Sequence, residues 1–247
     1  MKLEFWHEDM IRFMTDASEY GDYNRHLTEK MLPWLTEDIH ICDAGSGLGY
    51  LSLALAPHVQ QVTSVELNSN AASVLSDNCQ KRGITNIVSR CGAIADVIPE
   101  TPYDAMVFCF FGRRREILKL AKRQCRGDIF VFTRNYDRHR FSAGSHHSGF
   151  EGYPEFSEEL AQLGISAHKE TFAPEFGQPF RSLEDASRFF LLYSKDQNKD
   201  VLTKEFIRSQ LTQTGREDFP LYMPHQKHMG FLHFSAKDIP EQILEER

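Results

Sequence analysis

The sequence predicts an α/β chain with helices on both faces of a mostly parallel sheet, and three observations carry that expectation. Strand-length apolar runs alternate with helical patterns from residue 39 to residue 134, the rhythm of right-handed crossovers between parallel strands. One run, Tyr103-Asp104-Ala105-Met106-Val107-Phe108-Cys109-Phe110-Phe111, is apolar almost throughout, as a central strand buried on both faces requires. The first strand, Ile39 to Asp43, passes into a turn holding Gly45, Gly47 and Gly49 and then a helix from Leu51 to Ala56. Such strand–turn–helix corners are where open α/β sheets bind nucleotides.

The elements follow in order. Residues 5–18 and about 23–35 pattern as helices, with Pro33 weakening the second near its end. After the glycine turn, Gln61 to Glu66 reads as the second strand. A helix follows, with Asn68 and Ser69 at its N-cap and Gly83 at its C-terminal stop. Ile87 to Ser89 is a short third strand, and residues 93–98 make one or two helical turns before Pro99. A basic helix over 113–125 and a fifth strand over 128–134 complete the alternation. Residues 135–152 read as a loop, and Ser157 to Leu163 as a helix capped by Ser157. A strand over 165–172 follows, then helices over 183–193 and 203–211 and extended segments over 217–223 and 229–235. Ser182 and Asp185 have capping-box spacing for the first of those helices.

The glycine spacing narrows the ligand. A dinucleotide site needs a small residue where this chain has Tyr50, and a phosphate-binding P-loop needs a Gly-Lys-Ser/Thr that is absent. Glu66, at the end of the second strand, lies at the distance from which a carboxylate accepts both hydroxyls of a ribose. The pattern Asp43-x-Gly45-x-Gly47-x-Gly49 followed by Glu66 resembles the class I S-adenosylmethionine (SAM)-dependent methyltransferases, specifically over residues 39–134 and only in architecture elsewhere.

That resemblance implies a doubly wound, mostly parallel seven-stranded sheet with an antiparallel final strand, and a helical insertion between strands six and seven. It divides the chain into an N-terminal helical flap (1–38), a SAM-binding core (39–173 and 229–247) and an insertion at 174–228 that serves as a substrate lid. S-adenosyl-L-methionine is the implied cofactor. Asp43, Gly45, Ser46, Gly47 and Gly49 would hold its methionine half, Glu66 its ribose, and Leu67 its adenine face. Ala93 stands where many members carry the Asp that binds the adenine amino group, so that contact passes to the backbone or another group. Cys109 and Phe110 would face the methyl group.

The end of the fourth strand excludes several chemistries. Phe110-Phe111-Gly112-Arg113 is not the Pro-Pro-aromatic motif of adenine-N6 or glutamine methylation. Cys109 lacks the preceding proline of cytosine-C5 enzymes, and the carboxylates of a catechol-type Mg²⁺ site are missing. His139 and His225 are the candidate catalytic bases, from two segments expected at the carboxyl edge of the sheet together with His146, His147 and His228. No metal-ligating pair shows helical spacing. Arg181 and Arg188 are candidates to clamp an acidic acceptor.

Composition sets the remaining bounds. With 41% hydrophobic and 26% charged residues, no membrane-length apolar run and an acidic N-terminal stretch without an apolar core, the chain reads as cytoplasmic. Five cysteines without paired spacing read as free buried thiols. A net charge of −7 argues for a small-molecule acceptor over nucleic acid. The basic segment Arg113, Arg114, Arg115, Lys119, Lys122, Arg123 and Arg126 keeps an RNA methyltransferase as an alternative, beside a SAM-binding regulator or scaffold without turnover.

Overall fold

The computed structural model describes residues 6–136, 141–144 and 152–245. Strands β1 (His40–Ala44), β2 (Gln61–Glu66), β3 (Ile87–Cys91), β4 (Tyr103–Cys109), β5 (Cys125–Arg134), β6 (Ala167–Phe172) and β10 (Met229–Ser235) form one seven-stranded sheet. Its order is β3-β2-β1-β4-β5-β10-β6, and only β10 runs antiparallel to its neighbours. The expected fold class is therefore present, closing hairpin included.

Side-chain alternation along the central strands sorts the core into two layers. From β4, Met106 and Phe108 point to one face and meet Leu118 of α5 (Arg114–Gln124) and Phe156 and Leu160 of α6 (Tyr153–Gln162). Ala105 and Val107 point to the other face, where Leu27 and Met31 of α2 (Tyr23–Met31) and Leu51 and Leu55 of α3 (Tyr50–Leu55) cover the sheet. On that second face Phe132 of β5 stacks on its cross-strand partner Phe231 of β10, with ring centroids 4.9 Å apart.

Helix α4 (Ser69–Arg82) starts and stops where the sequence says it should. The Asn68 side chain accepts from the N–H groups of Asn70 and Ala71, and Gly83 ends the helix at φ 65°. Asn68→Ala is expected to lower stability by about 1 kcal/mol in urea unfolding. Helix α6, in contrast, begins at Tyr153, not at Ser157. Pro154 suits a first turn, and the Glu155 carboxylate accepts from the Gly152 N–H, so the cap forms at Gly152, upstream of the expected Ser157. Arg114 and Arg115 of the basic segment both pair with the buried Glu159, Lys122 with Glu241, and Arg126 with Asp104.

The segment between β6 and β10 is only partly helical. It carries α7 (Leu183–Tyr193) and α8 (Lys204–Ser209), and also an antiparallel sheet of β7 (Gln178–Phe180), β9 (Leu221–Met223) and β8 (Thr212–Gln213). This unit grips α1 (Glu8–Tyr20). Phe13 is fully buried against Phe180 and Phe189, at 6.2 and 5.1 Å between ring centroids. The Gln178 side chain donates to the Phe13 carbonyl, and Tyr20 stacks on Tyr222. Four charged pairs ring this aromatic contact. Arg181 makes a two-pronged pair with the buried Asp16 (2.5 and 2.9 Å), Arg12 binds Asp16 and Asp185, and Arg188 binds Asp9. Arg181 and Arg188 thus hold α1 through Asp16 and Asp9.

Candidate cofactor and acceptor site

The site lies at the carboxyl edge of the sheet, where β1 and β4 end side by side. Gly45, Gly47 and Gly49 have φ of 71°, 56° and 76°, so the turn follows a path open to glycine but strained for other residues. At Gly45 a Cβ would run into the Phe111 ring, and at Gly47 it would meet Trp6. The turn's N–H groups are largely committed within the protein. Gly45 and Ser46 donate to the Val65 carbonyl, Gly49 to the Ser46 carbonyl and Gly47 to Glu66. Phe111, Trp6 and Leu75 pack closely on the three glycines, while the Ser46 hydroxyl is buried with no hydrogen-bond partner in the protein.

Two carboxylates flank this turn. Glu66 accepts from the Gly47 N–H through one oxygen and from the Asn68 N–H through the other, each at 2.9 Å. That fixes the carboxylate in plane and leaves one lone pair per oxygen for a diol. Asp43 is buried, and Ser52 donates to it at 2.6 Å. Burial pushes its pKa up to about 6, against the Ser52 bond and with the help of the nearby Glu66 charge. Leu67 is 71% exposed beside Glu66, a free apolar face for a flat heterocycle. Ala93 follows Gly92, whose N–H donates to the Glu66 carbonyl. Tyr50, the residue that breaks the dinucleotide pattern, is buried at the start of α3 and donates to Glu19 of α1. These features fit SAM: a diol acceptor, an apolar adenine face, a glycine cradle and an orphaned hydroxyl.

The end of β4 supplies the neighbouring surface. Phe110 has φ 54°, the only positive value outside glycine among the described residues, and its N–H donates to the Phe132 carbonyl. Strain of this kind gathers at functional edges. Burial pushes the Cys109 thiol up to about 12, with the Lys227 ammonium opposing. Across the edge Lys227, two residues before β10, aims its ammonium at Phe110 (3.8 Å to the ring centroid), Phe176 (4.9 Å) and Tyr23 (5.0 Å).

The structure brings Asp43, the glycine turn, Ser46, Glu66, Leu67, Ala93, Cys109 and Phe110 to one edge, as the sequence spacing anticipates. Of the candidate bases, His139 lies outside the described residues, as do His146 and His147. The His225 backbone is held by Glu175, which accepts from its N–H, and by Phe176, which donates to its carbonyl. Sequence reasoning missed Lys227, Tyr23, Phe111 and Trp6. Only Phe111, inside the apolar run of β4, carried a local signal. All five cysteines are free, but Cys91 is exposed, contrary to the expectation of buried thiols.

This strand order, with the glycine turn at its edge, is the seven-stranded Rossmann-like fold of SAM-dependent methyltransferases. Solved structures with the same fold include the YcgJ protein of Bacillus subtilis (TM-score 0.56, 14% identity, covering 85% of this chain and 97% of that one). A SAM-dependent methyltransferase of Aquifex aeolicus is similar over 90% of this chain and 97% of its own (TM-score 0.53, 12% identity). In sequence, the chain is 30% identical over 82 residues to the 23S rRNA (uracil(1939)-C(5))-methyltransferase RlmD of Chromohalobacter salexigens, covering 32% of this chain and 17% of that one. It is 34% identical over 82 residues to an uncharacterized RNA methyltransferase of Lactiplantibacillus plantarum, covering 31% and 18%. Both matches span less than a fifth of the relative's length. No family model matches the chain.

Proposed function

We propose that this chain is an S-adenosyl-L-methionine-dependent methyltransferase acting on a small-molecule acceptor, with S-adenosylhomocysteine as the second product. The observation that carries the reading is the Glu66 carboxylate, oriented by the Gly47 and Asn68 N–H groups with its outer lone pairs open for ribose hydroxyls. When bound, the cofactor supplies an electrophilic sulfonium methyl group. Glu66 holds the ribose, Leu67 and the Ala93 backbone hold the adenine, and Asp43 with the turn from Gly45 to Gly49 holds the methionine half. The Ser46 hydroxyl gains there the partner it lacks in the protein. Cys109 and Phe110 wall the reacting side, and His139 and His225 are the proposed proton acceptors. Positioning supplies most of the rate.

Residues 1–38 act as the flap and 174–228 as the substrate lid in this reading; their mutual grip through Phe13 and Asp16 supports a single cover over the edge. The free cysteines support a reducing, cytoplasmic setting. Among the described residues no helix is long and apolar enough to cross a membrane. An RNA acceptor is the second reading, favoured by the two RNA methyltransferase relatives. The pairing of Arg114, Arg115, Lys122 and Arg126 with carboxylates argues against it.

Calorimetry tests the cofactor. SAM and S-adenosylhomocysteine are expected to bind and NAD to give no heat; NAD binding without SAM binding overturns the reading. RNA affinity that falls steeply with salt would favour the second acceptor class.

A further inference from the structure

The three rings around Lys227 come from three distant segments: Tyr23 from α2, Phe110 from the end of β4, and Phe176 from the stretch after β6. Tyr23 and Phe176 stack on each other with centroids 4.1 Å apart, and the Lys227 N–H donates to the Pro174 carbonyl. The cage is therefore built and held. It is not sealed, because Phe110, Phe176 and Lys227 each keep part of their surface in solvent.

The charge balance of the cage is one-sided. Among the described residues no carboxylate lies within ion-pair distance of the Lys227 ammonium. The titratable groups facing it are the Cys109 thiol of β4, the Tyr23 phenol of α2 and Arg134 of β5, which repels it. Tyr136 acts on Tyr23, and Asp43 acts on Cys109. Ring faces attract an ammonium but replace only part of its lost hydration. Burial and Arg134 accordingly lower the Lys227 pKa to about 8, with the Cys109 thiol opposing. An ammonium that has lost part of its water gains from an anion at its open side, and no carboxylate of the described residues stands there.

We propose that Lys227 is the acceptor-binding cation of the site, pairing with an anionic oxygen of a small planar acid that lies along the solvent-open side of the cage at the β4 edge. The proposal rests on the reading of this edge as a methyltransferase site and names its acceptor class, an organic anion. The ammonium anchors the anion, the rings select a flat body, and the acid's nucleophilic atom is turned toward the side where Cys109 and Phe110 meet the cofactor position.

The test uses the full chain saturated with S-adenosylhomocysteine and 4-fluorobenzoate as the probe, read by ¹⁹F line shift and broadening. The wild-type protein is expected to bind it and K227M to lose about tenfold or more in affinity. K227R, which keeps the charge, should stay much closer to wild type. The neutral 4-fluorobenzamide should not separate wild type from K227M. Affinity for the anion should fall as pH rises through about 8, where the ammonium loses its proton. Equal 4-fluorobenzoate affinity in K227M, no binding by the wild type, or pH-independent binding across that range overturns the proposal. Calorimetry with S-adenosylhomocysteine separates the two readings: its failure on wild type sinks the cofactor assignment, while the fluorobenzoate titration repeated without it still decides Lys227.

Discussion

Glu66→Ala is expected to weaken SAM binding by roughly 10–100-fold and also to destabilise the ligand-free protein. The first effect follows from losing charge-assisted hydrogen bonds, each worth about 1.5–3 kcal/mol, to the ribose hydroxyls. The second follows from the geometry: without the carboxylate, the partly buried N–H groups of Gly47 and Asn68 lose their acceptors at 2.9 Å. One such orphaned donor costs about 1–3 kcal/mol. Glu66→Gln keeps an acceptor oxygen for one of the two N–H groups and should fall between wild type and Glu66→Ala in both measurements. Calorimetry reads the affinity and urea unfolding the stability. Undiminished SAM affinity in Glu66→Ala would show that the ribose is carried elsewhere.

Asp43→Asn should do the opposite to stability while still harming cofactor binding. In the folded protein the Asp43 carboxyl titrates near 6, whereas in the unfolded chain it titrates at about 4. Between those values the folded state holds the proton more firmly, so the free energy of unfolding falls as pH rises from about 4 to 6. Two pKa units amount to about 3 kcal/mol lost above pH 6, because the ionised group is then buried. The Asn variant has no proton to lose. It should exceed wild type in stability by up to about 3 kcal/mol at pH 7–8, and the difference should vanish near pH 4. Its SAM affinity should nonetheless drop, since the charge that destabilises the empty protein is the one proposed to meet the methionine half. Parallel stabilities of the two proteins from pH 4 to 8 would show that Asp43 is not a strained charge.

The parts of this site legible in the sequence are those whose partners are close along the chain. The glycine turn, Glu66 and the Asn68 cap lie within one strand–turn–helix–strand passage, so spacing alone locates them. Phe110 and Cys109 enter through the family resemblance, at the end of the apolar run. Lys227 was not legible, because nothing near it in sequence marks it; its meaning depends on Tyr23 and Phe110, which tertiary folding delivers. The pairing within the basic segment was hidden for the same reason. Its charges are opposed locally only by Glu116, yet Glu159, Glu241 and Asp104 come in from elsewhere to meet them. The start of α6 was missed because Ser157 is a good cap by type, while Pro154 and Glu155 form a better first turn upstream.

The clasp between α1 and the β6–β10 segment also sets an order of assembly. Asp16 and Arg181 are 165 residues apart, and Asp9 and Arg188 are 179 apart. During synthesis, α1 leaves the ribosome long before Phe180 and Phe189, the rings that bury Phe13. The Rossmann strands from β1 to β5 can pair as they appear, but the Phe13 face of α1 docks only after β7 and α7 have been made. A chain halted before residue 180 can seat Ile11 and Met14 of α1 against Leu48, Tyr50 and Leu75, but it leaves Phe13 without its ring partners, the kind of surface on which chaperones act and aggregation starts. Closing Phe13 onto that late segment is set by loop length more than by local helix formation.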